Sequence, residues 1–130
     1  MAETMEQTTA ADHPLASRFI DVNEKDWTPT ELPGVEMKLL YKDEEAGRST
    51  ILFRMAPGSR VPLHMHTDVE QTYMLEGSLV DDQGACTAGN FVWRPAGNTH
   101  EAHSPDGALF ISVFLKPNKF LHEQPTFAKS

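Results

Sequence analysis

GSRVPLHMHTDVEQTYMLEG, residues 58–77, decides how the chain is read. Within it His64 and His66 stand two apart among Val61, Pro62, Leu63 and Met65, and Glu70 follows four residues after His66. In an extended strand successive side chains alternate faces, so the two imidazoles point the same way from Cα atoms roughly 6.6 Å apart and can converge on one ion at ~2.1 Å. A helix would splay them. Neutral imidazole binds several divalent transition metals, and a carboxylate beside it suits Zn or Fe(II) better than Mg or Ca. The stretch lacks only a third nitrogen donor.

Downstream, GNFVWRPAGNTH at residues 89–100 supplies one. A short aromatic strand, Phe91-Val92-Trp93, runs into Pro95-Ala96-Gly97, a turn signature that reverses the chain and starts the next strand at His100. The candidate metal ligands are therefore His64, His66, Glu70 and His100, for one divalent transition metal: Fe(II) or Zn first, Mn or Ni after them. Glu70 has two further readings, as an acceptor that orients one imidazole or as a general base. His103 has the opposite strand parity from His100 and is expected to face away. His13 and His122 lack any comparable context.

Together the two stretches resemble the two motifs of the cupin superfamily: Gly58, His64, His66, Glu70 and Gly77 match the first, and Gly89, Pro95, Gly97 and His100 the second. The match departs at the end of the second motif, where many cupins carry Asn and this chain has Ser104. The wider run from Phe19 to Phe114 is similar to the ChrR-like cupins, metal-binding domains found at the C-terminus of zinc-dependent anti-sigma factors and also as free-standing proteins. That similarity rests on Pro33-Gly34-Val35, Ala56-Pro57-Gly58-Ser59, His64-Met65-His66 with Glu70, Leu75-Glu76-Gly77, Ala88-Gly89 and Pro95-Ala96-Gly97-Asn98-Thr99-His100. It implies metal ligation at His64, His66, Glu70 and His100. It does not imply anti-sigma activity, for which an N-terminal helical sigma-binding domain is needed. The neighbouring acetylacetone-cleaving dioxygenases use three histidines on a similar barrel to hold Fe(II); Glu70 would add a carboxylate here.

Composition sets the outer bounds. At 130 residues, 39% apolar and 23% charged, the chain is expected to form one globular domain that buries roughly two thirds of its unfolded surface. No apolar run reaches the ~20 residues a bilayer span needs, so no membrane partner is expected. The N-terminus is acidic and polar where a secretory signal would be basic and then apolar, and Cys86 is the only cysteine; both fit a cytoplasmic protein. A net charge of −8 with scattered Lys and Arg argues against nucleic acid. Cys86 reads as a small, half-buried strand residue.

In chain order, residues 1–15 read as a mobile tail and 16–130 as the folded domain. Arg18 to Val22 is a candidate short strand, and Trp27 needs a covering segment to bury its ring. From Val35 the pattern is β: strands over Val35–Leu40 and Ser49–Met55, an alternation that puts Glu70, Thr72 and Met74 on the ligand face, and a last strand over Ala108–Leu115. No helical periodicity of useful length occurs. The predicted fold is all-β, a small antiparallel jelly-roll barrel. Phe53, Met55, Met74 and Trp93 are candidate walls of a substrate pocket, and Arg60 and Gln71 could reach a ligand's oxygens. Tyr73, Leu75, Phe110 and Phe114 have the parity opposite to the expected interior, which predicts a homodimer, with Phe19 to Val22 adding a strand to the partner.

Three function classes fit this reading. The first is a metal-dependent dioxygenase acting on a small oxygen-rich or β-dicarbonyl-like molecule. The second is a metal- or small-molecule-binding module without turnover. The third is a structural metal site in an interaction protein. Four ligands complete a tetrahedral Zn site, whereas the same four leave two positions open on six-coordinate iron.

Overall fold

Ten strands begin where the polar N-terminal segment ends. The computed structural model describes residues 13–121; the expected tail before residue 13, and His122, lie outside that range. A single 3-10 turn, Val22–Glu24, precedes β1 (Thr28–Pro29), β2 (Val35–Asp43), β3 (Arg48–Met55), β4 (Arg60–Met65), β5 (Glu70–Asp81), β6 (Gly84–Thr87), β7 (Phe91–Arg94), β8 (Thr99–His103), β9 (Ala108–Phe114) and β10 (Lys119–Phe120). All pairings are antiparallel, and no α-helix occurs among the described residues. The expected jelly-roll barrel is present.

The sheet runs β1-β2-β3-β9-β5-β8-β4-β10, with β6 and β7 also on β5. β5 makes the closure possible because it serves two partners in succession. From Glu70 through Gly77 it pairs with β9, and from Ser78 to Asp81 with β6, touching β8 at Val80. A register shift between Met74 and Glu76 bends the strand at the changeover, since an extra residue in one strand of a pair kinks it and increases its twist.

Ile51, Phe53 and Met55 of β3, Met74 of β5 and Phe110 and Phe114 of β9 form the core. The ring of Phe53 lies 5.4 Å from Phe110 and 6.3 Å from Phe114, the second pair edge-on. Burying each such side chain contributes about 1.5–3 kcal/mol. This corrects one expectation. Along β9 it is Ala108, Phe110, Ser112 and Phe114 that face inward, while Leu109, Ile111 and Val113 are half-buried on the outside. Both parities of that strand are apolar, and the pairing of Phe53 with Phe110 across β3 and β9 selects the larger rings for the interior.

Arg18 to Val22 does not form a strand. No strand pairs with it, and Arg18 instead donates to the carbonyls of His13 and Ala16. Trp27 finds its cover between cations: Arg54 Cζ lies 4.1 Å and Lys38 Nζ 4.8 Å from its ring. Lys38 in turn donates to the carbonyl of Val22 at 2.8 Å, which straps the segment before β1 onto the outer face of β2.

Candidate metal centre

His64 and His100 are direct partners across β4 and β8. His64 owes its inward direction to an irregularity. Val61 and His64 are both buried although they stand three positions apart, at opposite strand parity, and the pairing with β8 shifts register between them. Pro62 lies in that shift, where its missing N–H removes a ladder bond. His66 stands just past the end of β4 and is tied to the turn before His100 by two backbone bonds, His66 N to Asn98 O at 2.9 Å and Gly97 N to His66 O at 2.7 Å. The turn read from Pro95-Ala96-Gly97 thus sets two histidines at once.

The three rings face one another with centroids 4.5 to 5.1 Å apart. Their ligand atoms all lie within 4.8 Å of one another, and each residue is buried. His64 Nδ1 lies 2.7 Å from the Pro62 carbonyl and His100 Nδ1 2.7 Å from Asp81 Oδ2. Both partners can only accept, so each Nδ1 carries the hydrogen and each Nε2 keeps a free lone pair. His66 is fully buried, and neither of its ring nitrogens has an aligned hydrogen bond. Such orphaned atoms cost about 1–3 kcal/mol each, and a metal ion is the kind of partner that satisfies them. The donor set fits a transition metal.

Glu70 stands to one side. Its Oε1 lies 3.0 Å from His66 Nδ1, outside hydrogen-bond alignment, while Oε2 accepts from Thr72 Oγ1 at 3.3 Å. Thr72 in turn meets Ser112 Oγ at 2.7 Å. The carboxylate does not join the group formed by the three histidines. Burial pushes the Glu70 carboxyl up, against the pull of Arg94, Ser112 and Thr72.

Burial pushes all three imidazoles down, His66 to about 3 and His100 to about 4, with Arg94 adding to it at all three and neighbouring rings at His66 and His100. They are neutral near pH 7, as ligation requires. The ordinary value is 6.5, so between that and about 4 the unfolded chain binds more protons than the fold. Chelator-treated protein should therefore lose stability as pH falls from 6.5 towards 4, the raised carboxyl of Glu70 opposing this only where it protonates. Melting temperatures at pH 7.5, 6 and 5 check the direction; a rise on acidification would contradict it.

Two residues that sequence reasoning did not single out complete the site. Arg94 is buried on β7, and its Nη1 lies 3.0 Å from Asp81 Oδ2. Asp81 also accepts from the backbone N–H groups of Gln83 and Gly84, at 2.8 and 2.9 Å. Burial pushes the Asp81 carboxyl up, but the Gln83, His100 and Arg94 interactions outweigh it and hold it below its usual range. Parity could have found Arg94, which shares a face with the half-buried Val92. Nothing local marks Asp81.

The cavity at the histidines has a volume of about 30 Å³, with Phe53, Met55, Val61 and Phe110 among its apolar walls and Glu70 and Arg94 among its polar ones. Two of the four expected pocket residues are therefore on it. Met74 is fully buried in the core beside it. Trp93 is 59% exposed and lines a separate outer groove of about 390 Å³ with Phe91, Arg94 and Asp81; its strand turns Arg94 inward instead. Arg60 and Gln71 are exposed, and His103 is half-buried outside the histidine group. Ser104, in the place of the expected Asn, is fully buried and donates to the Ser78 carbonyl at 2.7 Å.

The family model described as the ChrR cupin-like domain matches residues 16–119. No protein of curated function matches the sequence. Among solved structures, an acetylacetone dioxygenase from Acinetobacter johnsonii is similar with a TM-score of 0.77 and 18% identity over 88% of each chain. A protein provisionally assigned as an acetylacetone dioxygenase from Methylibium petroleiphilum PM1 gives 0.78 and 22% over 84% of this chain and 83% of that one. The Rhodobacter sphaeroides complex of SigE with the anti-sigma ChrR gives 0.62 and 20% over 72% of this chain and 50% of that one. At these identities the likeness is one of fold.

Proposed function

The chain belongs to the ChrR cupin-like domain family, and from that premise we propose that it is a non-haem metal-dependent dioxygenase acting on a small, oxygen-rich or β-dicarbonyl-like substrate. The observation that carries this reading is the buried trio His64, His66 and His100, with Nδ1 of two rings committed elsewhere and both nitrogens of the third unbonded. These residues would hold Fe(II), which supplies a chelation point for substrate oxygens and an electron for O2. The protein's own part is proton handling and exclusion of water. Glu70, raised by burial and braced by Thr72, takes a proton from an acidic C–H of the substrate. Phe53, Met55 and Phe110 keep the space around it apolar. The likeness to acetylacetone dioxygenases supports this chemistry.

Oxygen-electrode measurements on Fe(II)-loaded and Zn-loaded protein against β-diketones, hydroxyaryl ketones and flavonols test it. Uptake should occur only with iron, and equal rates for the two metals across the panel would end the dioxygenase reading. Glu70→Gln should then keep its iron and turn over slowly if Glu70 is the base, or lose metal if it is a fourth ligand. The cavity's small volume favours a second reading, a metal- or small-molecule-binding module without turnover, since about 30 Å³ holds a water or two.

We also propose a homodimer. Tyr73, Phe91 and Trp93 are 46%, 54% and 59% exposed. Tyr73 is the cross-strand partner of Phe91 and Ile111, and Gln71 that of Trp93 and Val113. The outer face of β7, β5 and β9 is thus one apolar surface, of the kind that soluble monomers seldom expose. Light scattering at tens of micromolar should give twice the mass of the chain; a monomer would refute it.

A further inference from the structure

We infer that Arg94 is an anion anchor, and that the molecule this site takes carries a carboxylate in addition to the oxygens that face the histidines. The inference rests on the metal-site reading and specifies its substrate class. Arg94 is 8% exposed. A cation so buried is costly unless its donors are met, and a guanidinium has five N–H groups in a fork that matches a carboxylate. Here the match is incomplete. Among the described residues its ion pair is with Asp81, Nη1 lying 3.0 Å from Oδ2, and none of its nitrogens is a fully buried atom without a partner, so what the pair leaves open faces the cavity or the groove.

Asp81 does not need Arg94 in return. Its Oδ2 accepts from His100 Nδ1, and its Oδ1 accepts from Gln83 and Gly84. The orientation of His100 is therefore secured without the guanidinium. Glu70 is the cross-strand partner of Arg94 and feels its charge, but its carboxylate makes its contacts to His66 and Thr72. Arg94 also lies in the wall of both the histidine cavity and the outer groove. With Arg94 as the wall between them, a ligand that reaches from the groove to the histidines has to pass the guanidinium, where a carboxylate would meet it. On a chain of net charge −8, a buried cation at this point would select an acid over its neutral analogue.

Calorimetric titration of zinc-loaded protein with 3,5-dioxohexanoate and with its ethyl ester isolates the charge, since both present the same diketone. The acid should bind at least about tenfold more tightly than the ester, in line with a charge-assisted hydrogen bond. Arg94→Gln should erase that preference, leaving the ester's affinity within about threefold and zinc content unchanged; Arg94→Lys should keep part of it. Equal binding of acid and ester by the wild type would overturn the inference, as would absence of binding by either. So would Arg94→Gln weakening both ligands equally with loss of zinc, the result expected if Arg94 only braces Asp81. A preference for the acid in protein that consumes no oxygen with iron would defeat the dioxygenase reading and leave the anchor standing.

Discussion

His66→Ala is expected to cut the metal content of purified protein by at least half and to erase the gap in melting temperature between metal-loaded and chelator-treated samples. His66 is the histidine whose two ring nitrogens are both buried without an aligned hydrogen bond, Glu70 Oε1 standing 3.0 Å from Nδ1, so a bound ion would meet a need that the fold leaves open. An ion bound by the folded state alone adds RT ln(1 + [L]/Kd), about 2.7 kcal/mol at a hundredfold excess over Kd. Losing one of three nitrogen donors removes most of that. His64→Ala and His100→Ala should act alike, and the latter should also leave Asp81 with one acceptor site open. His103→Ala should retain full metal, because that side chain stands outside the group. Elemental analysis of protein purified without added metal decides the matter; full occupancy in His66→Ala would remove the site.

The second large effect falls on folding. Gly77→Ala should abolish soluble expression or lower stability by about 4 kcal/mol or more, a magnitude reserved for a few specific mechanisms. Gly77 has φ +76, and a Cβ there would lie 1.9 Å from the backbone oxygen of Gly107. That oxygen also accepts from Ser78 N at 3.2 Å, and Gly77 pairs with Ala108 in the ladder to β9. The obstruction is backbone in a paired strand, so it has nowhere to go. Gly58 is the control: its φ is +83, but nothing lies within 4 Å of the added atom, so Gly58→Ala should cost only the conformational ~1–2 kcal/mol. Urea unfolding of the two variants compares them directly, and equal midpoints would show that the strand changeover tolerates a side chain.

Several features followed from the sequence by itself because they depend on short-range geometry. Two histidines one strand repeat apart must share a face, Glu70, Thr72 and Met74 must alternate with Gln71, Tyr73 and Leu75, and Pro95-Ala96-Gly97 must turn. Glu70, Thr72 and Met74 do face inward, and His64 and His66 are both buried although His66 stands past the end of β4. What a strand cannot say is which of its two faces meets the interior. On β9 both faces are apolar, and only the apposition to Phe53 decides for Phe110 and Phe114. On β7 the aromatic face was the natural choice for a pocket, yet the barrel turns Arg94 inward and leaves Trp93 on the groove. The register shifts at Val61/His64 and Met74/Glu76 alter parity midway along a strand, and they arise from pairing with neighbours distant in sequence. The position of Glu70 beside His66, and the meeting of His100 and Arg94 on Asp81, were decided at that level too. Local chemistry fixes which side chains can act together; closure of the sheet decides which of them meet, because a strand of period two offers both faces equally until another strand covers one.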